Sequence, residues 1–142
     1  MTYSFRISVQ HDQPILWPQI GSTPPRTMAE MLYDAAVGLA QISQNKLDFY
    51  VDAVGVAADP FGPVTKIRYN CYIRVIEKAY LHLLFQVTTP SSGPFDADIG
   101  TPEGDSYPPV KDENELVATI TKILQRPRTK EVIEYLLRVA VP

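Results

Sequence analysis

Two histidines, one cysteine and sixteen carboxylates are the chain's stock of acids, bases, nucleophiles and metal ligands. Two histidines and one cysteine supply no zinc-ligand spacing. Neither a glycine-rich phosphate loop nor a nucleophile elbow occurs anywhere in the sequence. Asp96, Asp98 and Gly100 resemble the start of a calcium loop, with carboxylates at alternate positions, but the closing position that needs a bidentate glutamate is Tyr107. No metal and no cofactor is therefore expected. The residue best suited to proton transfer is His82, because imidazole titrates near neutral pH and a carboxylate such as Asp48 can orient it. Nothing supplies a nucleophile beside it, so the reading leans away from an enzyme. The binding candidates are Asp48, Tyr50, Arg68, Tyr72, Arg74 and His82, a mixture of aromatic and charged groups that suits a recognition surface.

These candidates are placed by alternation. From Val64 to Thr89 two runs switch between apolar and polar residues at the period of a half-buried strand, which predicts a hairpin. In the first run Ile67, Tyr69, Cys71, Ile73 and Val75 share one face, and Arg68, Asn70, Tyr72 and Arg74 share the other. In the second, Leu81, Leu83, Phe85 and Val87 lie opposite His82, Leu84 and Gln86, with Leu84 the apolar exception. A slip of one residue would set apolar side chains against polar ones, so the register is constrained. The constraint favours a loop at 77–79, with Tyr69 facing Val87 and Arg74 facing His82. A turn at 59–63, Asp-Pro-Phe-Gly-Pro, joins this hairpin to a preceding strand over 48–58. Ala58 should then pair with Val64, Asp52 with Asn70, Tyr50 with Tyr72 and Asp48 with Arg74. Asp48, Arg74 and His82 would form one row across a polar face. Cys71 falls on the apolar side, where a free cysteine behaves as a small hydrophobe.

The chain opens with a further alternating strand over 3–10, followed by a loop holding four prolines together with Ile15, Leu16, Trp17 and Ile20. Trp17 either tucks over the edge of the core or makes a partner contact. Thr27 and Glu30 have capping-box spacing and predict a helix to about Gln44, whose Met28, Met31, Leu32, Ala35, Leu39 and Ile42 face the sheet. Gly38 inside that helix points to a close approach of its backbone to the sheet. Residues 90–111 carry five prolines and no periodicity, which predicts a long mobile or edge-covering loop open to early proteolysis. Two helices close the chain, one over about 113–125, started by Asp112 with Glu115 in capping-box spacing, and one over about 128–140, separated by Pro127.

The 142 residues fit one domain of the α+β class. Its expected form is two layers, a mainly antiparallel four-stranded sheet in chain order β-α-β-β-β-α-α with helices packed on one face. A net charge of -3 opposes binding to nucleic acid, which requires a cationic excess, and Asp48 and Asp52 interleave the aromatic groups on which bases would stack. No apolar run reaches the length of a membrane span, and the amino terminus reads as a strand, so a cytoplasmic protein is expected. These features favour a protein-binding or homo-oligomeric module that uses the polar face, the sheet edge or the proline-rich loops. The alternative is a small-molecule binding protein or enzyme with its site near Arg74 and His82.

Overall fold

A computed structural model of the chain describes residues 26–140. Two helical pieces come first, α1 (Met28–Ala35) and α2 (Leu39–Ile42). Strands β1 (Leu47–Ala57), β2 (Val64–Val75), β3 (Tyr80–Pro90) and β4 (Asp98–Gly100) follow, and α3 (Glu113–Leu124) and α4 (Pro127–Ala140) end the chain. The strands form one antiparallel sheet in the order β1-β2-β3-β4, and the helices pack on one of its faces. The α+β architecture expected from the sequence is the one observed. No described helix is long and apolar enough to cross a membrane.

Both predicted caps are present. The Thr27 hydroxyl accepts from the Glu30 amide while the Glu30 carboxylate accepts from the Thr27 amide, so two otherwise orphaned donors are satisfied at the start of α1. Asp112 does the same service for the Glu115 amide at the start of α3. The single helix expected to run to Gln44 is broken, however. Gly38 adopts φ 103°, a left-handed conformation that ends one helical piece and starts the next. No atom lies within 4 Å of where its Cβ would be, so the glycine serves this turn and not a close approach to the sheet. Beyond the break the predicted stripe rotates away, and Ile42 is 71% exposed. The Ser43 hydroxyl then ties the chain into β1, lying 3.1 Å from both the Ala40 and Leu47 carbonyls, either of which can take its one proton, and accepting from the Leu47 amide.

The core lies between the sheet and the helices. Leu47, Phe49, Cys71, Ile73, Val75, Phe85 and Val87 from the strands meet Met28, Leu32, Leu116, Ile120, Ile123 and Leu136. Phe49 and Phe85 stack with centroids 6.1 Å apart, and Tyr33 of α1 meets Phe49 edge-on at 5.9 Å. At the α3–α4 junction the buried Thr129 hydroxyl donates to the Ile123 carbonyl at 2.5 Å. Pro127 sits at the first position of α4, where a missing amide costs nothing.

The described sheet includes a strand that the sequence did not suggest. Residues 3–10 and Trp17 lie outside the described residues. The fourth position is filled from the 90–111 segment, where Asp98–Gly100 pairs with Gln86–Thr88 and Ala97, Ile99 and Val110 are buried. Isolated bridges from Ala97 to Val110 and from Gly100 to Ser106 fold the rest of the segment back on this strand. Arg126 anchors it, donating to Asp105 at 2.8 Å and pairing with Glu103 at 3.2 Å. Of the two forms expected of this segment, the edge-covering one is observed.

Candidate functional site: the helix-free face of the sheet

Between β1 and β2 the ladder follows the predicted register, with Asp48 opposite Arg74, Tyr50 opposite Tyr72 and Asp52 opposite Asn70. Only its far end departs, where a bulge between Val56 and Ala57 sets Ala57, not Ala58, against Val64. The β2–β3 ladder agrees at Tyr69 opposite Val87 and then changes. A bulge at Cys71/Tyr72 leaves Leu84 unpaired, so that Cys71 faces Phe85 but Tyr72 faces Leu83, Ile73 faces His82 and Arg74 faces Leu81. The loop between these strands is correspondingly longer than predicted, running from Ile76 to Ala79, with Ala79 in the left-handed region at φ 50°.

The extra residue inverts the parity of half a strand. Leu84 and Phe85 both enter the core, at 2% and 0% exposure. His82 consequently turns to the helical side, and the predicted row of Asp48, Arg74 and His82 is cut short at its second member. Leu81 and Leu83 take the positions on the helix-free face that alternation assigned to His82 and Leu84. The sequence contained one signal for this, the unbroken apolar run Leu83-Leu84-Phe85, since a residue that violates alternation is where a bulge absorbs the mismatch.

On the helix-free face Arg74 meets Asp48 through two bonds, Nε to Oδ1 at 2.9 Å and Nη2 to Oδ2 at 2.5 Å. Its guanidinium carbon also stands 5.3 Å from the centroid of Tyr50, within cation–π range. The bond to Asp48, and secondly the carboxylate charge, hold the Arg74 pKa above its ordinary value. Tyr50 and Tyr72 lie side by side with centroids 6.1 Å apart. Burial, then the charge of Asp52, pushes the Tyr72 hydroxyl pKa up. The next row joins Gln86 to Asn70 at 2.7 Å, while Asp52 Oδ1 is buried without a hydrogen-bond partner among the described residues. Arg68 lies on the same face further along, between Val54 and Thr88, and is exposed. The structure thus brings together Asp48, Tyr50, Tyr72 and Arg74, with Arg68 at the margin, adds Leu81 and Leu83, and removes His82.

On the other side of the sheet His82 lines an open cavity of about 410 Å³ with Arg128, Glu131, Val132 and Tyr135. Burial, followed by the nearby Arg128 charge, lowers the His82 pKa, and the Glu103 carboxylate partly opposes this. Behind the sheet face, Cys71 is wholly buried, and burial pushes its thiol pKa far upward. Asp96, of the calcium-like sequence, pairs with Lys111 at 3.1 Å. Among the described residues no group of three or more His, Cys, Asp and Glu side chains converges to hold a metal ion.

Comparison of the chain with protein-family models, with curated proteins and with solved structures finds no match.

Proposed function

We propose that the protein is a non-enzymatic protein-binding module whose interface is the helix-free face of its sheet. The observation that carries this is the bulge, which turns Leu81 and Leu83 outward beside Tyr50 and Tyr72. A protein interface has an apolar and aromatic centre with a polar rim, and hot spots cluster on such large, rigid side chains. Here the centre is two tyrosines and two leucines, with Leu81 43% exposed, and the rim is formed by the Asp48–Arg74 and Asn70–Gln86 pairs. At the margin Lys66 and Arg68 have no ion pair among the described residues, whereas Arg74 is engaged by Asp48. The partner surface that matches is therefore an apolar ridge with a carboxylate to one side. The competing small-molecule reading needed Arg74 and His82 in one site, and they occupy opposite faces.

A photoreactive p-benzoylphenylalanine placed at position 72, and as a control at position 135 on α4, tests the proposal in cells that make the protein. Adducts to protein should form from position 72, should be absent or different at 135, and should disappear when Leu83→Asp is added. Adducts that persist with Leu83→Asp, or arise equally from both positions, would place the interface elsewhere.

A further inference from the structure

The two edges of the sheet are built differently. β4 is three residues long, is followed by Pro102, and is overlaid by the bridges at Ser106 and Val110, all of which protect an edge from pairing with another chain. β1 is eleven residues long, and from Ala53 to Ala58, one residue past its end, the sequence is Ala-Val-Gly-Val-Ala-Ala, with no charge and no proline to deter pairing. Ala53, Val54 and Gly55 are exposed, and among the described residues nothing pairs with the outer edge there.

The backbone polarity of this edge is known. The Val51 amide donates to the Tyr33 hydroxyl at 3.0 Å, so it points away from β2. Amides in an antiparallel strand alternate between its two sides, so those of Ala53 and Gly55 point outward too. Tyr33 closes the edge at Val51, and the turn at Asp59 closes it at the other end. Among the described residues the open window is 52–58, whose middle residue is Gly55. Around that glycine the sequence is a palindrome, Ala53-Val54-Gly55-Val56-Ala57.

We infer that a second copy of this chain pairs with this edge, antiparallel, about a two-fold axis at Gly55. A two-fold contact requires a self-complementary patch, and this one is symmetric in sequence as well as in the length left open. Gly55 then faces Gly55 of the second copy, Val54 faces Val56, Ala53 faces Ala57, and Asp52 faces Ala58, so no two carboxylates are opposed. Ala53 and Gly55 exchange their outward amides for bonds to the second copy. The result is one continuous sheet of eight strands with all helices on one side. The two helix-free faces lie together on the other, doubling the proposed binding surface without depending on it.

Sedimentation equilibrium of the full chain, combined with amide hydrogen exchange, tests this. The protein should have twice its monomer mass at high concentration, with the Ala53 and Gly55 amides slow to exchange in the dimer and fast after dilution to monomer. Ala53→Pro removes an amide that β2 does not use, and Val54→Lys adds a charge at the edge; each should give a monomer whose melting midpoint matches that of the wild type diluted to monomer. A wild-type monomer, or a dimer that survives both substitutions, would overturn the inference. Slow exchange of these amides in a monomer would also overturn it, because the chain's own residues 1–25 would then occupy the edge.

Discussion

The β1–β2 and β2–β3 ladders share a strand, yet one keeps the alternation of its sequence almost to its end and the other abandons it midway. Along β1 every second residue from Leu47 to Val51 faces the helices, and its only irregularity comes at Val56/Ala57, beside the turn. Along β3 the bulge comes in the interior, opposite Cys71 and Tyr72, and everything before it changes sides. The bulge adds Leu84 to the core beside Phe85, which is buried in either register, and in exchange it turns Leu81 and Leu83 out to the helix-free face. The function proposed for the helix-free face is a by-product of that packing decision, since it sends leucines outward and a histidine inward.

The strongest way to break this contrast is at Leu84. With strict alternation Leu84→Ala would remove an exposed side chain and leave stability almost unchanged. As a core residue it should cost about 2–5 kcal/mol in chemical denaturation, with Phe85→Ala at about 3–5 kcal/mol. Leu83→Ala, one residue away, should cost much less than either. A next effect sharpens the β2 side. Cys71 is buried and its thiolate strongly disfavoured, so reaction with a thiol reagent should be slow in the native protein and should accelerate on unfolding; rapid native labelling would contradict the assignment of the odd-numbered β2 residues to the core.

Smaller effects are expected at the two charged residues that the sequence placed in one row. The Arg74 and Asp48 side chains are 38% and 26% exposed, so Arg74→Ala should barely move the melting midpoint of the isolated protein. A marked loss of stability would mean that the face is already desolvated by a bound surface. The His82 pKa is lowered from 6.5, so the unfolded chain takes up this proton first as the pH falls. The stability linked to His82 is therefore full above about pH 6.5 and declines below it, and His82→Gln should flatten that acid-side slope. An unchanged slope in the variant would show that His82 does not sit in the cavity with Arg128.

Much of this architecture was legible in the sequence because periodicity and caps are local. Thr27, Glu30 and Asp112 marked helix starts, and the Asp48–Arg74, Tyr50–Tyr72 and Tyr69–Val87 pairs followed from face matching alone. What was illegible depended on context. Gly38 reads the same in a helix that bends and in one that approaches a sheet, and only its φ distinguishes them. The strand at Asp98–Gly100 is too short to show alternation, and it exists because the β3 edge offers it partners. At the site, Tyr50, Tyr72, Arg68 and the Asp48–Arg74 pair were found, whereas Leu81 and Leu83 were missed because parity was carried unbroken through a strand that contains a bulge.

The decisive measurement for the helix-free face is therefore cysteine scanning across the bulge. In a Cys71→Ala background, single cysteines at positions 81, 82, 83 and 84 are labelled in the native protein with a bulky maleimide, and the adducts are tested for partner crosslinking through position 72. Positions 81 and 83 should label rapidly and abolish the crosslink, 84 should label only on unfolding, and 82 should label without affecting it. Rapid labelling at 82 and 84 with protection at 81 and 83 would restore strict alternation and remove the apolar centre on which the proposed function rests.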